Sequence, residues 1–229
     1  MVVDAAARIL TGTRATPRVP AQSQYSEPMA ALPRDSRPEP LAGLDSVDWV
    51  KFRPRNPGDA ERDACEIPDL IRGLATAEGQ AAHEWGEALK GALIHGHSGL
   101  CFRTAEPAAP FLIELCRCER PEVAAEALSL LLGCVGDDGP FHPEPLRPGD
   151  TQLSEFVTRI RAIVRGGRAA YYPWLRSSHF TARVAALELL GVLEPEASEF
   201  QRGLAQLEAS DENYEIQQAI REIRLDLQR

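Results

Sequence analysis

The sequence predicts an all-α fold, a stacked array of paired helices, on three observations. A proline opens a short apolar run at Pro68-Asp69-Leu70-Ile71, at Pro110-Phe111-Leu112-Ile113 and at Pro173-Trp174-Leu175-Arg176; proline is harmless at a helix start, where its missing N–H would have no partner anyway. An alanine- and leucine-rich run follows each, over residues 81–93, 123–132 and 182–190. Elsewhere apolar residues recur at helical spacing: Leu153, Phe156, Val157, Ile160 and Val164 form one stripe, and Ile216, Ile220, Ile223 and Leu227 another.

A two-helix unit recurring about every 40 residues is the spacing of HEAT-type repeats, in which each pair buries its apolar face by stacking on the next. The expectation is a right-handed α-solenoid of about four irregular HEAT-like helix pairs. Residues 1–43 carry Pro17, Pro20, Pro28, Pro33, Pro38 and Pro40 with few apolar side chains, and read as a disordered tail or an overextended start. Residues 44–229 form the solenoid. A short helix capped by Asp45 or Ser46 brings Val47, Val50 and Phe52 onto the first repeat. The pairs are then 67–75 with 81–94, 109–118 with 121–135, 169–176 with 181–193, and 196–207 with 213–227. A long loop at 136–150, with four prolines, interrupts the array, and a strongly amphipathic helix over 151–165 follows it. The narrow stripe of the last helix suits a terminal cap, since no further repeat covers it.

Composition narrows the function classes. The 229 residues are 44% apolar and 26% charged, ordinary for a globular chain, with only 6% aromatics, so the core comes from Ala, Leu, Ile and Val. No apolar run is long enough to span a bilayer, and the first residues lack the basic-then-apolar pattern of a signal peptide, so none is expected. Five cysteines without framework spacing suit a reducing compartment, and the cytoplasm is the expected location. A net charge of −9 disfavours general nucleic-acid binding. The charge is uneven: Arg147, Arg159, Arg161, Arg165, Arg168, Arg176 and Arg183 face only Asp150 and Glu155 in the same stretch.

Three segments carry a family resemblance: Leu44-Asp45-Ser46-Val47-Asp48-Trp49, His97-Ser98-Gly99, and Glu106-Pro107-Ala108-Ala109-Pro110-Phe111-Leu112. Over residues 44–135 the chain resembles bacterial HEAT-repeat proteins of the kind common in actinobacteria, mostly without an assigned function. In that family a glutamine stands where Ser98 is, and a small residue where Glu106 is. The resemblance implies an α-solenoid and a binding role, and brings no catalytic residue with it.

Several side chains invite chemistry. His83-Glu84 resembles the His-Glu pairs that hold two irons in HEAT-like hydroxylases, but the equivalent helices carry Val123-Ala124-Ala125 and Ala182-Arg183-Val184. One pair cannot supply a di-iron site, so a surface or inter-repeat contact is expected. His95, His97, Cys101 and His142 are zinc-ligand types at spacings that match no zinc motif. Cys116 and Cys118 stand two apart on an expected helix and cannot chelate together; Cys134 reads as a small core hydrophobe. No phosphate-binding glycine loop or nucleophile elbow occurs.

The arginines are the preferred candidates. Arg161, Arg165, Arg168, Arg176 and Arg183, with Tyr172 and Trp174 beside them, would form a basic, partly aromatic patch on an acidic body. The expectation is a non-enzymatic scaffold or adaptor, without cofactor or metal. It would bind a protein partner on its concave face, with immunity-type neutralisation as one use of that binding, nucleic acid disfavoured and no membrane association. The alternative is a HEAT-like enzyme, either DNA glycosylase-like or metal-dependent.

Overall fold

The computed structural model describes residues 41–53, 63–94, 101–136, 151–211 and 213–226. Helix α1 (Ile67–Thr76) continues a 3-10 turn, Ala64–Glu66, that opens on a reciprocal cap: the Asp63 carboxylate accepts from Cys65 N at 2.9 Å, and Asp63 N donates to Glu66 Oε1 at 3.4 Å. Its Ile67, Leu70, Ile71 and Leu74 lie on one face and are buried. Helix α2 (Gln80–Leu93) returns against it after Gly79, whose φ of 53° lies in the left-handed region. Gly73 of α1 lets the two helices approach: a Cβ there would lie 2.5 Å from the Trp85 ring.

The second pair is α3 (Ala105–Leu115) and α4 (Pro121–Val135). Helix α3 begins before Pro110 and ends before Cys118, three to four residues N-terminal of the expected bounds at each end. Ala105, Ala108 and Ala109 are fully buried, so packing carries the helix through an internal proline that costs it a hydrogen bond. Thr104, just before α3, is fully buried and donates to Ala92 O of α2 at 2.8 Å, joining the first pair to the second.

Helix α5 (Thr151–Gly166) follows, with Phe156, Ile160 and Val164 buried and Val157 half-buried. The helix expected at 169–176 is replaced by two 3-10 turns, Arg168–Ala170 and Tyr172–Arg176. Pro173 has no N–H to donate, and the neighbouring turns close through tighter bonds instead, such as Tyr171 N to Arg168 O and Trp174 N to Tyr171 O. Helix α6 (Phe180–Leu193) is capped by His179, whose Nδ1 accepts from Ala182 N at 3.4 Å. The last pair is α7 (Ser198–Ser210) and α8 (Tyr214–Asp226), with Asn213 Oδ1 accepting from Glu215 N and Ile216 N.

The second helices form one layer, in which α2 packs on α4, α4 on α6 and α6 on α8. The first helices form the other, α1 on α3 and α3 on α5. This is an all-α, helical-repeat array, with one isolated bridge between Ile94 and Cys101 as the β feature among the described residues. Helix α4 is its centre: Val123, Ala124, Ala127, Leu128, Leu131 and Val135 are fully buried. No helix among the described residues is long and apolar enough to cross a membrane.

The entry to the array differs from expectation. In place of one short helix there are two 3-10 turns, Leu44–Ser46 and Trp49–Phe52. Leu44 and Trp49 are the buried anchors, and Trp49 Nε1 donates to Leu44 O at 3.2 Å. Val50, expected to pack, is 55% exposed, because successive residues of a 3-10 turn point about 120° apart and the side that buries Trp49 leaves Val50 outside. Residues 1–40 of the expected tail and 137–150 of the expected loop lie outside the described residues.

Candidate functional site

The arginine group does not sit on one open face. Arg161 is half-buried on α5 and donates from Nη2 to Val135 O, the last residue of α4, at 3.3 Å. Arg165, one turn later, donates from Nη2 to Leu193 O, the last residue of α6, at 3.0 Å. Both guanidiniums therefore meet the C-terminal ends of second-layer helices, where unpaired carbonyls and the helix dipole favour a cation. Arg120 does the same for α1, donating to Ala77 O at 3.4 Å and to Ala75 O.

Arg183 is tied to Asp211 at 2.6 Å, with the two side chains 20% and 9% exposed. Arg161 and Arg183 each bury an Nε without a partner. These two are fixed in the interior of the array and leave the expected surface patch. Arg168 is exposed and lies 3.7 Å from Glu194. Tyr172 donates its hydroxyl to the same Glu194 at 3.3 Å, and burial followed by the Glu194 charge pushes its pKa up to about 12. Trp174 donates Nε1 to Cys116 O at 2.7 Å, linking the turn after α5 to the end of α3. Arg176 is exposed, with no hydrogen bond or ion pair among the described residues. Arg165, Arg168 and Arg176 are thus the arginines left at the surface, Arg165 and Arg168 beside the end of α6 and Arg176 in the turn that leads into its start.

His83 reaches from α2 to α4, with Nδ1 3.1 Å from Glu126 Oε1, an inter-repeat contact of the kind expected. Burial raises the Glu126 pKa, and His83 opposes that rise. Glu84 stays exposed. Among the described residues no three His, Cys, Asp or Glu side chains are grouped to hold a metal ion. His95, His97 and His142 lie outside the described residues. Cys101, Cys116 and Cys134 are buried, and burial raises the thiol pKa of Cys101 and Cys116, which makes them poor nucleophiles. Cys116 and Cys118 follow the end of α3 instead of lying on it, with Cys116 inside and Cys118 half-buried.

The second-layer helices carry a feature the sequence reading passed over. Helices α4 and α6 are covered on most sides and reach solvent along one narrow stripe each. On α4 the stripe runs through Glu122, Glu126 and Ser129; on α6 it runs through Thr181, Val184 and Glu188. The signal was present as isolated glutamates at helical spacing in otherwise apolar runs. Glu188 is held with its pKa raised to about 7, by burial first and by Glu222 of α8 second.

Comparison with known proteins gives little to add. No family model and no curated protein matches the chain. Among solved structures it is similar to the complex of CpcE and CpcF of phycocyanin lyase from Nostoc sp. PCC7120, at 15% identity, covering 71% of this chain and 99% of that one, with a TM-score of 0.38. That neighbour is a lyase complex, and the expectation of a non-enzymatic chain is withdrawn on this finding. At such a TM-score it carries neither an activity nor a substrate over to this chain.

Proposed function

We propose that this chain binds a protein partner, using the layer of second helices as its platform. The observation that supports this reading best is the pair of stripes by which α4 and α6 reach solvent, Glu122-Glu126-Ser129 and Thr181-Val184-Glu188, open at Ser129 and Thr181 and half-buried between. Apart from Val184 they are polar or acidic side chains mounted on deeply buried helices of the array, so they are held in place at little further entropic cost to a partner. A partner presenting lysine or arginine to this layer is the complement we propose. Arg165, Arg168 and Arg176 stay exposed around α6 and suit acidic side chains of the same partner, while Tyr172 and Trp174 are half-buried between them. The resemblance to bacterial HEAT-repeat proteins fits this reading.

Photo-crosslinking tests it. A photoreactive residue replacing Ser129, on the α4 stripe, should capture the partner in the native host, while one replacing the exposed Pro110 on first-layer helix α3 should not. Arg168→Glu combined with Arg176→Glu should weaken the captured complex. Capture from position 110 alone would place the interface on the other layer. Neutralisation, as by an immunity protein, and bridging, as by an adaptor, use the same surface; assaying the captured partner's own activity with and without this chain separates them.

A further inference from the structure

Glu126 is a carboxylate seated between repeats. Its side chain is 19% exposed and reaches from α4 to α2, where Oε1 lies 3.1 Å from His83 Nδ1. The carboxyl group also rests on Gly86, three residues after His83 and so on the same face of α2. A Cβ at Gly86 would lie 2.9 Å from Glu126 Cδ, so the missing side chain is what opens a notch in α2 for the carboxyl group. His83 itself is 47% exposed. The pair is therefore unequal: the carboxylate is sheltered in the seam, and the ring that answers it stands in solvent, within reach of its protons.

The other cations on the surrounding elements have partners of their own. On α2, Lys90 is bound to Glu87 at 3.2 Å, and the two charges act on Glu126 in opposite senses. Arg72 of α1 is bound to Asp45 and Asp69. Arg120, just before α4, donates to the end of α1, and Arg161 of α5 donates to Val135 O. Arg159 of α5 is bound to Glu106 of α3, and Arg183 of α6 to Asp211. Glu84 of α2, Glu122 of α4 and Glu188 of α6 add negative charge, while Glu114 of α3 accepts from Leu41 N. The contact from His83 is thus the one by which a positive charge is set directly on the Glu126 carboxylate among the described residues.

We propose that His83 is a proton-controlled switch on the joint between α2 and α4. Protonated, it neutralises Glu126 and ties the first repeat to the second; neutral, it leaves the joint looser and the carboxylate uncompensated. Histidine is the side chain whose charge changes between about pH 5 and 8. At the acid end of that interval the contact is an ion pair with a charge-assisted hydrogen bond, and at the other it is a weaker bond from a neutral ring. Glu126 acts in the same direction. Burial raises its pKa above the reference of 4.5, against the opposing effect of His83, so its share of the stability is present below the reference and is lost as pH rises. Glu126 belongs to the α4 stripe, and its full charge meets a partner's cation when His83 is neutral. That consequence rests on the partner platform proposed above, whereas the switch rests on the α2–α4 contact alone.

A double-mutant cycle of urea unfolding on the full chain tests the switch without any partner. Wild type, His83→Ala, Glu126→Gln and the double variant are compared at pH 5.5 and at pH 8. Expressed as a ratio of unfolding equilibrium constants, the coupling should be about threefold larger at pH 5.5 than at pH 8. With His83→Asn, which keeps a donor near the Nδ1 position without its charge, the coupling should not change with pH. Amide exchange locates the effect. After correction for intrinsic exchange, α2 peptides of the wild type should be better protected at pH 5.5 than at pH 8, and the difference should shrink in Glu126→Gln. Equal coupling at the two pH values, or none at pH 5.5, overturns the proposal. Circular dichroism of each variant confirms that the array is folded, so a global defect is not mistaken for a loosened joint.

Discussion

Replacing Arg161 with glutamate separates an arginine that holds the array together from one that waits for a partner. Arg161 is half-buried, donates to Val135 O at 3.3 Å and buries its Nε. A cation at a helix C-terminus stabilises by about 0.3–1 kcal/mol when exposed and up to about 2 kcal/mol when partly buried. A hydrogen bond from a charged donor contributes about 1.5–3 kcal/mol. These describe the same contact and do not add, so its loss costs about 2 kcal/mol. A carboxylate facing the end of α4 adds repulsion of about 0.5–1 kcal/mol, for a total near 2–3 kcal/mol. At about 2–4 °C per kcal/mol for a chain of this size, Tm should fall by about 5–10 °C. Thermal unfolding followed by circular dichroism at neutral pH measures this directly. Arg176→Glu is the matched control: exposed and unpaired among the described residues, it should stay within about 0.5 kcal/mol of wild type. Arg161→Met keeps the apolar stem without the charge and should fall between them. If Arg161→Glu melts within about a degree of wild type while Arg176→Glu is the destabilised variant, the helix-end assignment is wrong. If it holds, weakened partner binding by an Arg161 variant is no evidence of contact until its stability has been restored.

Two further substitutions probe how the layers are joined. Gly73→Ala should push the Trp85 ring out of its place against α1 and cost about 1–3 kcal/mol, seen as a lower urea midpoint together with altered tryptophan fluorescence. Thr104→Val keeps the volume but leaves Ala92 O without its donor in a fully buried place; a loss of about 1–3 kcal/mol is expected in urea unfolding, and a neutral result would show that α2 and α3 are not joined through this bond.

The arginines show how a correct reading of charge can still misplace function. Their excess over acidic residues between positions 147 and 183 is real, and it reads as a patch because sequence distance is the only distance available. In the fold, Arg161 and Arg165 reach carbonyls 26 and 28 residues away, and Arg183 meets Asp211, also 28 residues away. The acids and helix ends that neutralise these cations belong to other repeats. Tyr172 and Trp174 likewise turn inward, toward Glu194 and Cys116 O.

The helix starts at Pro68 and Pro121 and the period of the apolar residues were enough to determine an all-α array of pairs and most of its helices, because local periodicity decides which face is buried. The bounds of α4, Pro121–Val135, are an example. The internal Pro110 and the 3-10 turns over Arg168–Arg176 depended instead on what surrounds them, since packing outweighs local preference in the first case and Pro173 breaks the helix in the second. Only the tertiary structure decided which charges remain at the surface. A guanidinium or carboxylate is defined by its neighbours, and in a stacked array those neighbours come from the next repeat, about 30 to 40 residues along the chain.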